Sequence, residues 1–352
     1  MAKSVLVIGG GPAGLGAARI LGRLGVPTIL VEKEDRLGGS PVLNSYYTLI
    51  PRKLKPEQVL GPYIKEVESN PNVQVKLKTE LVACKGEPGS YKVTLSNGET
   101  HEVGAIVVAT GFEHFDPRRK GELGYGLYPD VITNLELEQM FSKEGRLYRP
   151  SNGQLPKRVA FVFCVGSRDR QLGVTNVHCC RYGCALSGLQ AMEIKQRYPD
   201  VDVFCYYIDV RTYGTWEYPF YWAPQEQYGV RYIRGRIAEI TYSPADGRLR
   251  VKHEDTIVQR PAEVPMDLVV LVLGMEPSAG TKKVAKILGL AQDPNSKFLI
   301  PSEESGSNIV SNKPGIFIAG ACKGPIDIES SLSEGEAAGA EAAVFVGAKV
   351  TV

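Results

Sequence analysis

Four thiols within twenty-one residues, Cys164, Cys179, Cys180 and Cys184, are the densest reactive set in the chain. They stand in CVGSRDRQLGVTNVHCCRYGC, with fourteen residues between the first thiol and the vicinal pair and three more before the last. Four thiolates can hold an iron–sulfur cluster or a tetrahedral zinc ion, or can pair as a redox disulfide. Structural zinc sites usually present two C-x-x-C knuckles, and a thioredoxin-type pair needs one; the stretch contains neither. A cluster tolerates looser spacing and is the favoured reading, with zinc and a disulfide left open. His178 is read as a solvent-facing neighbour rather than a ligand. Cys84 and Cys205 are expected outside the group, Cys205 as core of an apolar strand, and Cys322 is expected beside a cofactor.

A second constellation opens the chain. Gly9, Gly11 and Gly14 have the G-x-G-x-x-G spacing directly after the apolar run Val5–Ile8. Gly9 allows the tight turn, Gly11 lets backbone approach a pyrophosphate, and Gly14 lets helix and strand pack closely. The following helix, entered through Pro12 and Ala13, would direct its N-terminal N–H groups at that pyrophosphate. Glu32 stands eighteen residues after Gly14, where a carboxylate can accept from both ribose hydroxyls. A strand before the glycines, a helix after them and an acid in place identify a dinucleotide site.

The elements that must position these groups follow from periodicity. Val5–Ile8 and the run to Glu32 read as parallel strands buried on both faces, with a helix between them. In the middle of the chain, residues 157–166 read as a strand, 185–197 as a helix, and VDVFCYYID as a strand. VRYIRGRIAEI reads as one further strand, and residues 266–278 as a closing strand. The 352 residues carry 41 Lys+Arg against 39 Asp+Glu, a formal charge of +2 with no basic block, which argues against nucleic acid as a partner. No apolar run reaches the ~18 residues of a membrane span. Glycines interrupt the N-terminal apolar segment too early for a signal peptide, and an odd thiol count argues against a disulfide framework. A cytoplasmic location is expected.

Three later segments resemble flavoproteins of the glutathione-reductase type and favour FAD over NAD. Gly38-Gly39, followed by Ser40, resembles the pair that lies against the dinucleotide there. Ala109-Thr110-Gly111 resembles the ATG turn beside the cofactor. The segment from Pro314 resembles the last flavin segment, in which Gly320-Ala321 ends a strand and a helix from Asp327 and Ile328 points at the flavin. Lys33 and Val82 complete the cofactor positions that the resemblance implies. An Asp usually follows Gly320 in such proteins; here Ala321 and Cys322 stand instead. The implied fold is α/β, a two-dinucleotide-binding-domain flavoprotein: a Rossmann-type FAD domain in residues 1–118 and 279–352, interrupted by a NAD-domain-like module in 119–278. The thiols lie where the second domain's glycine turn would fall.

CVGSRD, the cysteine group, YYIDVRTYG, YGVRYIRGR and AGACKGPIDIESS together resemble the A-type subunits of heterodisulfide reductase, in that family's order and over nearly the whole chain. The resemblance implies FAD, a [4Fe–4S] cluster, B- and C-type partner subunits and a homodimer. In kind it looks like the short A-type member of the heterodisulfide-reductase-like complex of sulfur oxidisers. The family's cluster pattern has a cysteine, three residues and then a vicinal pair. Here the pair comes first and Gly183 stands where a thiol is expected, so Cys180 must supply the missing ligand. The alternatives are a self-contained NAD(P)H-dependent disulfide reductase and an FAD-stabilised scaffold with zinc. The aromatic run from Thr212 to Gly229 is either a partner surface or packing over the thiols.

Overall fold

A computed structural model describes residues 3–171 and 173–348 and divides into two compact units. The first takes the described residues of 1–43, 56–113 and 276–352; the second takes 44–55 and 114–275.

The first unit is built on a five-stranded parallel sheet in the order Ile316–Ile318, Ala105–Val108, Val5–Ile8, Thr28–Val31, Val73–Lys76. Its three inner strands are buried at every position, because both faces are covered and no alternation is required. On one face, helix Pro12–Arg23 packs against the C-terminal helix Ile328–Phe345. The approach is closer than side chains allow: a Cβ on Gly335 would lie 1.9 Å from the Ala13 carbonyl oxygen, and one on Gly16 2.4 Å from that of Leu332. The other face buries Leu6, Ile8 and Ile106 against Val93, Leu95, Val284 and Leu288. Those residues come from an antiparallel sheet (Leu81–Glu87, Ser90–Leu95, Thr100–Val103) and helix Ala279–Leu288.

The second unit repeats the plan. Five parallel strands run in the order Arg231–Arg234, Asp202–Tyr207, Arg158–Val165, Leu268–Leu273, Val131–Thr133. Helix Gly183–Arg197 connects the third of these to its neighbour Asp202–Tyr207. An antiparallel sheet (Ile237–Ser243, Arg248–Asp255, Arg260–Met266) closes the core around Phe115, Tyr206, Leu249 and Met266.

Two features differ from the sequence reading. The single strand expected over VRYIRGRIAEI is two strands in two sheets, broken at Gly235, whose absent Cβ would sit 1.9 Å from the Glu254 carbonyl oxygen. The chain can pass there only without a side chain. Segment 44–55 also belongs to the second unit, outside the 119–278 range. Its backbone ends on buried Glu138, which accepts from Tyr47 N at 2.5 Å and from Gln190 Nε2 at 2.6 Å. Among the described residues, no helix is long and apolar enough to cross a membrane.

Candidate cofactor and thiol sites

In the first unit the glycines have separate duties. Gly9 has φ +106°, and a Cβ on it would meet the Ala109 carbonyl oxygen at 2.4 Å; a Cβ on Gly14 would lie 1.7 Å from the Gly9 carbonyl oxygen. Both are needed for the protein to pack on itself. Gly11 is different: a Cβ there would meet only Gly39 Cα, at 3.7 Å. Its bareness serves no internal contact and leaves a cradle at the head of helix Pro12–Arg23. No side chain caps that helix, and Pro12 fills its first turn, so the remaining N–H groups can take an anion. The arrangement fits a dinucleotide pyrophosphate.

Glu32 is buried, and both of its carboxylate oxygens accept backbone N–H groups: Oε2 from Gly10 at 2.6 Å and Oε1 from Glu34 at 2.9 Å. It therefore holds the glycine turn to the second strand, and each oxygen keeps a lone pair for a ribose hydroxyl. Gly38 N donates to the Gly10 carbonyl at 2.8 Å, and a Cβ on Gly39 would lie 2.8 Å from Gly11 Cα. The Gly38-Gly39 pair thus lines the same turn, and Ser40 opens the short helix beyond it. Lys33 is exposed beside Glu34, and Val82 is an exposed residue near the start of the antiparallel sheet.

The ATG turn is tied down: Thr110 Oγ1 lies 2.7 Å from Thr281 Oγ1, the Thr110 carbonyl accepts from Ser278 Oγ at 2.9 Å, and the Gly111 carbonyl accepts from Thr281 Oγ1 at 3.1 Å. Gly320, at φ +72°, passes over Ala13, whose Cβ would be 2.6 Å from a Cβ added to it. The helix from Ile328 begins where the sequence placed it, capped by Asp327, which accepts from Ser330 N and Oγ, each at 2.8 Å. That cap occupies one first-turn N–H expected to face a flavin. Near Ala321, where the usual Asp is missing, Glu334 accepts from Gly320 N at 2.9 Å and pairs with Lys323 at 3.0 Å. Cys322 is a correction: it is fully buried, with its thiol on the Val108 and Ala319 carbonyls, and burial pushes it up to about 12. It is core, not a cofactor neighbour.

In the second unit, Cys164, Cys179, Cys180 and Cys184 line one cavity with Phe163, Gly183 and Val272; its empty volume, part of it open to solvent, is about 280 Å³. Cys164 is the last residue but one of the strand Arg158–Val165 and Cys184 the second residue of the helix Gly183–Arg197, the two places a nucleotide turn would join. Three residues of the cavity lining have left-handed backbone although none is glycine: Cys164 (φ +61°), Arg168 (φ +55°) and Arg181 (φ +65°). Such conformations cost free energy and persist where surroundings hold them.

Three arginines, Arg168, Arg181 and Arg211, also line the cavity. Arg168 makes a two-armed pair with Asp209, and Arg181 Nε donates to Tyr213 Oη at 2.7 Å. Asp209 lies just beyond the second strand of this sheet, as Glu32 does in the first unit, but it holds an arginine rather than a glycine turn.

The thiols are electrically unequal. The Cys180 thiol donates to Cys179, and with Arg181 N at 3.3 Å and the nearby arginines it lowers Cys179 to about 6. The same bond and burial push Cys180 up, and burial raises Cys164 and takes Cys184 to about 12. Cys179 is thus the thiol of the four most readily ionised. Among the described residues, no group of three or more His, Cys, Asp or Glu is placed to hold a metal ion.

His178 is half-buried rather than solvent-facing and lies outside the cavity lining; its Nε2 bonds the Met275 carbonyl at 2.8 Å. Cys205 is core, as expected. The sequence reading missed the arginines as cavity-lining residues, although Arg168 and Arg181 stand within CVGSRDRQLGVTNVHCCRYGC and Arg211 within YYIDVRTYG. The aromatic run divides: Phe220 is buried against Leu189 and Met192, whereas Tyr213, Tyr218 and Trp222 are exposed.

The two parallel sheets and the glycine turn define a dinucleotide-binding reductase fold. A family profile described as pyridine nucleotide-disulphide oxidoreductase matches residues 3–177. Thioredoxin reductase of Lactococcus lactis superposes with a TM-score of 0.66 over 98% of this chain and 99% of that one, at 17% identity, a likeness of fold. These matches and the Gly11 cradle support FAD as the cofactor of a flavoprotein oxidoreductase. Among curated relatives, the A-type subunit of the ferredoxin/F420H2-dependent CoB-CoM heterodisulfide reductase of Methanosarcina acetivorans is 31% identical over 98% of this chain and 53% of the relative. The second A-type iron-sulfur subunit of the CoB–CoM heterodisulfide reductase of Methanopyrus kandleri is 31% identical over 97% of this chain and 64% of the relative. Over nearly its whole length the chain is thus similar to heterodisulfide reductase A-type subunits. It spans between about half and two thirds of these relatives' length, and the first alignment, 429 positions long, exceeds the chain's 352 residues, so the relative carries internal segments absent here.

Proposed function

We propose that this chain is the FAD- and [4Fe–4S]-carrying electron-transfer subunit of a heterodisulfide-reductase-like complex in sulfur oxidation, working with B- and C-type subunits as a homodimer. The reading rests on one observation: four thiols and three arginines line a single cavity where a nicotinamide turn would otherwise be. When bound, FAD handles electron pairs and the cluster single electrons, so the two together couple a two-electron donor to a one-electron path.

The chain's own residues divide the labour. Gly11, Pro12, Ala13 and Gly14 present the helix N-terminus to the pyrophosphate; Glu32 orients the ribose; Ala109, Thr110, Gly111 and Gly320 wall the isoalloxazine end. Cys164, Cys179, Cys180 and Cys184 supply the sulfurs, and Arg168, Arg181 and Arg211 offset their negative charge once ionised. Zinc asks for sulfurs about 3.8 Å apart, given Zn–S bonds of about 2.3 Å. The location read for the chain is cytoplasmic.

The test is iron, acid-labile sulfide, zinc and flavin content per chain after anaerobic purification, with EPR of the reduced protein. About four irons and four sulfides per FAD are expected, and Cys164→Ser should remove iron and sulfide while FAD stays bound. Zinc without sulfide, or rapid flavin reduction by NADH in a metal-free protein, would overturn the reading.

A further inference from the structure

The first residue of helix Gly183–Arg197 has no side chain, and a sulfur fills the space. A Cβ on Gly183 would stand 2.9 Å from Cys180 Sγ and 3.0 Å from Val272 Cγ1. The backbone at Gly183 is not left-handed, so any residue could adopt its conformation. What a side chain there would press on is a thiol of the same cavity. Real Cβ atoms hardly ever come within 3.0 Å of a neighbour, so a side chain at 183 requires the Cys180 sulfur to move.

The chain makes a specific fold to deliver that sulfur. Arg181 turns left-handed at φ +65°, Tyr182 N donates to the Cys180 carbonyl at 2.8 Å, and Arg181 N donates to Cys179 Sγ at 3.3 Å. The reversal sends the two vicinal side chains to different depths: Cys180 is 4% exposed, whereas Cys179 is half-buried. Adjacent cysteines can then face one guest from separate directions.

We infer that positions 180 and 183 form a single donor slot: the Cys180 thiol occupies the place of a side chain at 183, and a thiol moved to 183 serves the same cavity. The inference rests on the cluster reading above. Three variants test it by iron and sulfide content and EPR, with bound FAD as the control for folding. Cys180→Ala is expected to fall well below four irons per chain. Cys180→Ala/Gly183→Cys is expected to recover wild-type iron, sulfide and EPR signal. Gly183→Ala, which keeps all four cysteines, is expected to lose iron because its methyl group displaces the Cys180 sulfur.

Full cluster content in Cys180→Ala, or no recovery in the exchange variant with FAD retained, overturns the slot. A wild-type protein without iron would refute the cluster reading instead. The slot is then decided by iodoacetamide labelling of the metal-free chains. The introduced thiol should react as slowly as Cys180 does in the wild type, and fast labelling refutes the slot.

Discussion

Gly11→Ala separates a glycine kept for a ligand from glycines kept for the fold. The added methyl group meets nothing nearer than Gly39 Cα at 3.7 Å, and the backbone at φ −77°, ψ −173° is open to alanine. Replacing glycine by alanine at a helix N-cap costs at most about 1 kcal/mol, so the flavin-free protein should melt within a few degrees of wild type. The same methyl group fills the approach of the pyrophosphate. Losing hydrogen bonds to a charged group costs about 1.5–3 kcal/mol, a ten- to roughly hundredfold weaker FAD affinity. Gly14→Ala is the contrast: its Cβ would stand 1.7 Å from the Gly9 carbonyl oxygen, and overpacking of this degree costs about 3 kcal/mol or more, a melting point lower by roughly 6 °C or more. The assay is circular-dichroism melting of flavin-free protein together with fluorescence titration by FAD. If Gly11→Ala melts as low as Gly14→Ala, or binds FAD as tightly as wild type, the cradle assignment is wrong.

Two further outcomes follow from packing and burial. Gly335→Val should separate the two helices that meet at Ala13, lowering the melting point by several degrees and releasing FAD together with it; retention of both would show that the contact is slack. Burial holds the Glu138 carboxyl above the ordinary range. Its folded form therefore favours the proton. The stability this gives is fully present below the unfolded value of about 4.3 and is lost as pH rises, at up to about 1.4 kcal/mol per pH unit. Glu138→Gln should flatten the decline of the urea midpoint between pH 4 and 8, and an unchanged slope would place the titration elsewhere.

The local code of this chain is plain where one short stretch carries the whole requirement. The strand–glycine–helix opening, the strand ending near Cys164, and the helix start at Ile328 behind Asp327 are each set by a few adjacent residues. Apolar runs, bare glycines and an N-cap act within one or two turns of backbone, so their effect can be read from the residues themselves. The break at Gly235 is hidden from the sequence because its cause, the Glu254 carbonyl, lies nineteen residues away. Segment 44–55 reads as part of the first unit because the Glu138 that holds its backbone is about ninety residues further on. His178 reads as solvent-facing and Cys322 as a cofactor neighbour for the same reason: the Met275 carbonyl on the one and the Val108 carbonyl on the other come from distant parts of the chain.

The thiols divide along the same line. Sequence alone determined that Cys164, Cys179, Cys180 and Cys184 form one group, because no other stretch concentrates them. Only tertiary structure decided that Cys180 reaches its place by filling the side chain Gly183 lacks, and that three arginines face the same cavity. Both depend on steric exclusion and charge acting across chain reversals, and neither leaves a periodic trace in the order of residues.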